Sequence, residues 1–266
     1  MKKLAIYSLL FLIFSCINKR NENLILIETT EGTVTIRLYE DTPLHSKNFI
    51  ELAENGTLDS LLFHRVIENF MIQGGDIESK NAPEGIELGN GDLGYTLTAE
   101  INNNRFHKKG VLAAARTNNP DRNSSSTQFY LVQGRVFNDS TLLLAEKRIN
   151  RYLQGYYFIQ DPENMELKKL LMDLDDQEAN SSYIASSKKW RESSKEYQDF
   201  PHYKIPEDHR EIYKSVGGTP HLDQSYTVFG EIVDGLEVVD EIAKAKTDQN
   251  DRPIQDIKIL SVRMLD

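Results

Sequence analysis

The residues best suited to chemistry lie together in one run of the chain, residues 63–76, which reads FHRVIENFMIQGGD. The run contains a guanidinium, an aromatic ring, a thioether and an amide, contributed by Arg65, Phe70, Met71 and Gln73. These groups suit a neutral peptide ligand, because apolar walls accept a side chain and polar N–H groups donate to a carbonyl. The run is a poor nucleophilic site, since it holds no serine or cysteine beside a base. On spacing alone, a core hairpin with Arg65 in a surface ion pair stays open as an alternative.

The elements that must position these side chains are mostly short strands. Two alternating runs, 24–30 and 33–39, are separated by Glu31-Gly32 and predict a hairpin. Further strands are predicted at 62–67, 70–73, 110–115, 128–133, 227–233 and 257–264, and isolated helices at 43–56 and 236–245. Many short strands with two isolated helices predict a mainly β fold, in which helices cap an antiparallel barrel.

Residues 138–216 break this pattern. Apolar side chains recur there at helical spacing, from Leu142 to Tyr156 and again after Asp161-Pro162. The stretch also holds the only tryptophan of the chain and very little glycine, so it does not have the composition of a flexible linker. We predict an inserted α-helical segment that packs on the barrel. Because its ends lie near the binding residues, we expect a flap beside the site that short peptides hardly sense.

The first residues have the layout of an export signal. Two lysines precede an apolar run over residues 4–14, and Cys16 follows directly after a serine. As a helix the run is about 16 Å long, too short for a hydrocarbon core of about 30 Å. The ending IFSC resembles a bacterial lipobox, which implies a signal peptide over 1–15, a lipid on Cys16 and a tether over 16–23. The alternative is a plain signal peptide that happens to contain a cysteine.

Charge and cysteine content exclude several classes of function. Acidic residues outnumber basic ones by 41 to 31, which gives a net charge of −10. A surface that neutralises phosphates needs the opposite balance, so no nucleic-acid partner is expected. A single cysteine excludes an intramolecular disulfide and every multi-cysteine metal site. His202 and His209 lack a convincing third ligand, and we expect neither a metal nor a cofactor.

Four motifs in one order carry a family resemblance. They are the run at 63–76, GVLAAART at 110–117, STQFY at 126–130, and HLD through YTVFG at 221–230. In these motifs the sequence resembles the cyclophilin family of peptidyl-prolyl cis-trans isomerases. The resemblance covers about residues 25–137 and 217–266. It implies a closed eight-stranded antiparallel barrel capped by two helices, which forms an isomerase domain over 24–137 and 217–266. The segment 138–216 is then an insertion.

The resemblance also implies a reaction and roles for its residues. Rotation about an X–Pro bond is slow because amide resonance creates a barrier of about 18–20 kcal/mol. Arg65 would be the catalytic residue, donating to the proline nitrogen as that atom loses conjugation, and Gln73 would hold the substrate carbonyl. The other implied substrate-binding residues are Phe70, Met71, Tyr130 and Leu222 around the proline, Gln128 at the rim, the backbone of Ala115 and Arg116, and Tyr226.

Three departures from the family pattern affect the pocket, and one of them is Tyr226, which replaces a frequent histidine. Tyr130 takes a position usually held by phenylalanine, which adds a hydroxyl to the pocket wall. His221 stands where cyclosporin-sensitive members carry tryptophan.

We therefore expect a lipid-anchored peptidyl-prolyl isomerase of the bacterial cell envelope, facing the periplasm or the cell exterior. Its partners would be proline-containing polypeptide clients, and it would contact the membrane through the lipid on Cys16. Two other classes of protein stay open: a proline-peptide-binding chaperone or scaffold with little turnover, and an assembly protein whose insertion docks a partner.

Overall fold

The computed structural model describes residues 23–173 and 181–265. The predicted signal peptide over 1–15 and the predicted lipidation site Cys16 lie outside the described residues. Within these two ranges, no helix combines the length and the apolar character needed to cross a membrane.

A curled antiparallel sheet forms the centre of the fold. Its strands are β1 (Leu24–Thr29), β2 (Gly32–Leu38), β3 (Arg65–Ile67), β4 (Met71–Gly74), β6 (Val111–Ala114), β8 (Phe129–Val132), β9 (Val228–Asp234) and β10 (Ile259–Met264). The strand order in the eight-stranded sheet is β10-β1-β2-β9-β6-β8-β4-β3. Two further strands, β5 (Thr96–Leu97) and β7 (Ser124–Ser125), pair only with each other.

The predicted closed barrel is wrong, because the sheet remains open between its edge strands β3 and β10. Backbone hydrogen bonds outside any strand ladder join the chain before β3 to the region where β10 begins. Ser60 N donates to Ile259 O at 2.8 Å, and Phe63 N donates to Ile257 O at 2.9 Å. Ser60 has φ of 67°, which interrupts extended backbone at this point. β3 itself has three residues, too few to extend a ladder across the gap.

Six α-helices accompany the sheet in the described residues. α1 (Pro43–Glu54) and α6 (Leu236–Ile242) pack against it. Between β8 and β9 lie α2 (Asp139–Gln160), α3 (Met165–Asp173), α4 (Ser181–Ser193) and α5 (Glu207–Ser215). That the insertion begins at residue 138 and ends at residue 216 remains a prediction.

Separate clusters of buried apolar side chains hold the sheet and the helices together. Alternating side chains such as Ile25, Ile27 and Ile36 are fully buried inside the sheet, as period-2 patterning requires. α2 begins with a capping box, in which Asn138 and Thr141 each bond the other's backbone N–H. Its buried face is Leu142, Ala145, Ile149 and Leu153, which pack with Phe106, Ile205 and Tyr213 in a separate cluster. The helices therefore have a core of their own beside that of the sheet.

Candidate active site

A cavity of about 270 Å³ opens beside β3, β4 and the segment that follows β6. The predicted site residues that line it are Arg65, Phe70, Met71, Gln73, Ala115, Arg116, Tyr130, Leu222 and Tyr226. Strand register brings these positions together, because Arg65 pairs with Gln73 across the β3–β4 hairpin and Gln73 pairs with Tyr130 on β8. Gln128 does not line the cavity and lies behind Gln73.

Arg65 is held from two sides at the mouth of the cavity. Its Nη1 donates to Gln73 Oε1 at 3.5 Å, and its Nε lies 3.5 Å from Asp251 Oδ2. The backbone supports this arrangement, since Val66 N donates to Asp251 O at 2.8 Å. A guanidinium carries five N–H groups, so this anchoring leaves donors for a ligand. Asp251 was not predicted, because it approaches Arg65 only through the tertiary fold.

The Gln73 amide is oriented by a chain of hydrogen bonds. Its Nε2 donates to Gln128 Oε1 at 3.0 Å, and Gln128 Nε2 donates in turn to Gly89 O at 2.8 Å and Gly91 O at 3.0 Å. Gln128 is therefore a positioning residue in this structure. A primary amide nitrogen has two N–H groups, and the second one on Gln73 is left for a ligand carbonyl.

Apolar side chains form the floor and walls of the cavity. Met71, Tyr130 and Leu222 are all less than a tenth exposed. Phe70 stacks on His221, with ring centroids 5.5 Å apart and an interplanar angle of 25°. Tyr226 meets Tyr130 edge to face at 5.8 Å. The cavity thus offers a desolvated apolar surface next to the Arg65 and Gln73 donors.

The backbone of Ala115 is already engaged. Its N–H donates to Gln128 O at 2.9 Å, and its carbonyl accepts from Ser125 N at 2.9 Å. Only the second lone pair of that carbonyl is left for an extended peptide. The strand-like pairing expected of Ala115 and Arg116 therefore depends mainly on the backbone of Arg116.

The hydroxyl of Tyr130 begins a buried series of hydrogen-bonded side chains, called the relay below, that was not predicted from the sequence. Tyr130 Oη lies 2.9 Å from His107 Nε2, and His107 Nδ1 lies 2.9 Å from Asp223 Oδ1. Tyr213 of α5 donates to Asp223 Oδ2 at 2.8 Å. Burial raises the pKa of Tyr130 and of Tyr213 well above the ordinary value, so both hydroxyls stay protonated. The hydroxyl of Tyr130 could have predicted such a partner from the sequence, because a buried tyrosine hydroxyl needs a hydrogen-bond partner.

A second contact joins the helices to the pocket at Arg116. Its Nη2 donates to Tyr152 Oη of α2 at 2.9 Å, and its Nε donates to Ser225 O at 3.0 Å. The guanidinium also lies over the Tyr226 ring, 4.8 Å from the centroid. These contacts argue against a flap that short peptides hardly sense, because α2 holds a side chain that lines the cavity.

The two histidines beside the cavity are uncharged near neutral pH. Burial lowers the pKa of His64 to about 4. Burial, together with the positive charge of Arg148, lowers the pKa of His221 to about 4. Neither ring is therefore poised as a general acid or base near pH 7. Across 23–173 and 181–265, no group of three or more His, Cys, Asp or Glu side chains could hold a metal ion.

Comparisons with known proteins agree with this geometry. The family model "Cyclophilin type peptidyl-prolyl cis-trans isomerase/CLD" matches residues 24–142 and 210–264. A Staphylococcus haemolyticus protein named "Putative peptidyl-prolyl cis-trans isomerase" is 27% identical over 248 residues, covering 92% of this chain and 93% of that protein. A Staphylococcus aureus protein of the same name is 28% identical over 246 residues, covering 92% of each chain.

A solved structure shares the fold. The cyclophilin type peptidyl-prolyl cis-trans isomerase of Cryptosporidium parvum superposes with a TM-score of 0.52 at 17% identity, over 92% of this chain and 98% of that one. The resemblance seen in the four motifs is confirmed by the family match. The chain therefore belongs to the cyclophilin-type peptidyl-prolyl cis-trans isomerases, and it is an enzyme of that class.

Proposed function

We propose that this enzyme accelerates rotation about X–Pro bonds in extracytoplasmic proteins and that Arg65 stabilises the transition state. The observation that carries the proposal is the placement of Arg65 at the mouth of an apolar cavity, with Gln73 and Asp251 fixing its guanidinium. A donor fixed in advance beside a desolvated pocket does not have to reorganise during the reaction.

The reaction needs no covalent step. As an X–Pro amide twists, its nitrogen loses conjugation with the carbonyl and becomes a better hydrogen-bond acceptor. A donor placed at that nitrogen binds the twisted amide more strongly than the planar one, which lowers the barrier by differential binding. Arginine suits the task because its guanidinium stays protonated at any working pH.

The other predicted residues hold the substrate for this step. Phe70, Met71 and Leu222 would enclose the proline ring, and the free N–H of Gln73 would bind the carbonyl that precedes it. Tyr226 and Arg116 close the side of the cavity next to α2. A flexible substrate is thereby held in one geometry while a single bond rotates, which removes part of the entropic cost.

Refolding of a protein limited by one X–Pro isomerisation tests the proposal. The enzyme should increase the rate of the slow phase in proportion to its concentration, and the fast phase should not change. An enzyme that binds the unfolded chain but leaves the slow phase unchanged would instead be a proline-binding chaperone. Gln73→Ala should weaken substrate binding, whereas an exposed glutamine such as Gln255→Ala should have no effect.

We also propose that the enzyme acts at the cell envelope through a lipid on Cys16. The support is the sequence pattern of basic start, apolar run and cysteine. Two acyl chains or more would hold the protein on a membrane durably, at about 0.8 kcal/mol per buried CH₂. Cys16→Ser should abolish labelling by a fatty-acid probe and release the protein from the membrane fraction or leave an uncleaved precursor. A cleaved Cys16→Ser protein that stays with membranes would place the anchor elsewhere.

A further inference from the structure

A second groove adjoins the proline pocket on the far side of Phe70. It has a volume of about 530 Å³, and we name it the α2 groove. One wall is a single face of α2, formed by Thr141, Leu144, Ala145 and Arg148 at helical spacing. The other wall is the β3–β4 turn with Phe70, the segment at Arg135 and Phe137, and the turn that carries His221. Phe70 lines both cavities, so the α2 groove continues the pocket.

The α2 groove carries positive charge on an acidic protein. The side chains of Arg135 and Arg148 are both exposed and line it, and neither forms an ion pair with any residue in 23–173 or 181–265. Glu68 contributes a carboxylate to the same groove. His221 adds no charge near neutral pH, because burial and Arg148 lower its pKa to about 4. Two cations against one anion leave the groove with a net positive charge.

The groove also offers apolar contact. Leu144 is 63% exposed on α2, and Phe137 lies opposite with the Arg135 guanidinium 5.3 Å from its ring centroid. An apolar strip edged by cations suits the methylene groups and the carboxylate of an acidic side chain. An extended chain advances about 3.3 Å per residue. The Phe70 and His221 ring centroids are 5.5 Å apart, so a chain that leaves the pocket across this pair needs about two residues to cross it. We therefore expect contact with the groove about two to four residues from the proline.

We propose that the α2 groove binds an acidic side chain of the client polypeptide, so that the enzyme prefers X–Pro bonds with Glu or Asp two to four residues away. The proposal rests on the proposed isomerase function and adds a selectivity to it. An interaction between exposed charges changes binding by about two- to fivefold, and salt weakens it.

Peptides with one X–Pro bond test the proposal. Glu or Gln is placed at each of the positions two to four residues from the proline, on either side, and kcat/KM is measured for each pair by NMR exchange. The unextended X–Pro tetrapeptide serves as the reference substrate. On one side of the proline, Glu should exceed Gln by about two- to fivefold. The ratio should fall at high ionic strength.

Variants of groove residues test whether the groove causes the ratio of kcat/KM between the Glu and Gln peptides. In Arg148→Gln and Arg135→Gln the Glu/Gln ratio should decrease, and in the double variant it should fall to one or below, because Glu68 remains as an unbalanced anion. Arg148→Glu should reverse the preference, so that a Lys peptide exceeds Glu. Glu68→Gln should raise the ratio above that of the wild type. Lys147→Gln removes an exposed cation from the neighbouring position of α2, outside the groove, and should keep the wild-type ratio.

Two results would overturn the proposal: a ratio of one at every position while the tetrapeptide is turned over, or a ratio that persists in the double variant. Failure of the isomerase function is a different result, namely no turnover of the tetrapeptide. In that case the affinity of the same labelled peptides, measured by fluorescence anisotropy, decides whether the groove selects Glu over Gln.

Discussion

The buried relay from α5 to the pocket leads to a specific prediction for Tyr213. The Tyr213 side chain is fully buried, and its hydroxyl donates to the Asp223 carboxylate, which is 2% exposed. Tyr213→Phe keeps the ring and removes one hydrogen bond to a buried charge, which is worth about 1.5–3 kcal/mol. For a chain of this size, about 2 kcal/mol corresponds to a decrease of about 4–8 °C in Tm.

Urea denaturation of wild type and Tyr213→Phe measures this loss. The midpoint should shift to lower urea while the m value stays constant, which identifies a change in stability. Tyr95→Phe is the matched control, because Tyr95 is 43% exposed and its hydroxyl donates to Asn48 Oδ1 across the surface at 2.6 Å. The control should lose less than about 0.5 kcal/mol. If Tyr213→Phe is as stable as Tyr95→Phe, the relay contributes nothing to stability and the reasoning fails.

The remaining predictions concern the pocket and its histidines. Tyr152→Phe, which removes the hydrogen bond to Arg116, should lower kcat/KM for a short X–Pro peptide, and an unchanged value would restore the interpretation of α2 as a flap. kcat/KM should be constant between about pH 6 and 8.5, because the proposed step uses a guanidinium, which stays protonated at any working pH, and an amide, which carries no ionisable proton. The pKa of His64 is about 4 in the folded protein and about 6.5 unfolded, so the unfolded chain takes up the proton first as the pH falls. His64 should therefore lower the free energy of unfolding between pH 6.5 and 4, by about 3 kcal/mol at most, and His64→Asn should show a smaller decrease than the wild type. The decrease that remains in the variant comes in part from His221, whose pKa burial also lowers to about 4.

The local parts of the fold were predictable from the sequence. Alternation at Val34, Ile36 and Leu38 identified a half-buried strand, and Pro43 marked the start of α1. The β3–β4 hairpin placed Arg65 opposite Gln73 because strand pairing over a short turn is set by neighbours in the chain. The four motifs then supplied the positions that line the cavity.

The parts that failed depend on contacts between distant segments. Closure of the barrel would need β3 to pair with β10, and the turn at Ser60 and the short β3 prevent it. Asp251 contacts Arg65 although the two lie 186 positions apart in the sequence (251 minus 65). The spacing of residues along the chain does not predict a contact of this range. The Ala115 backbone was predicted to pair with a peptide, because nothing in the local sequence shows that Ser125 of β7 donates to its carbonyl.

The most direct test of the account is the isomerisation of a short X–Pro peptide by wild type and Arg65→Ala. A charge-assisted hydrogen bond is worth about 1.5–3 kcal/mol, so kcat/KM should fall by about 10- to 150-fold. Circular dichroism should show an unchanged fold, since the Arg65 side chain is 42% exposed. Arg263→Ala, which removes an exposed arginine from β10, should retain full activity. Activity of Arg65→Ala within twofold of the wild type would contradict the account and remove Arg65 from the mechanism.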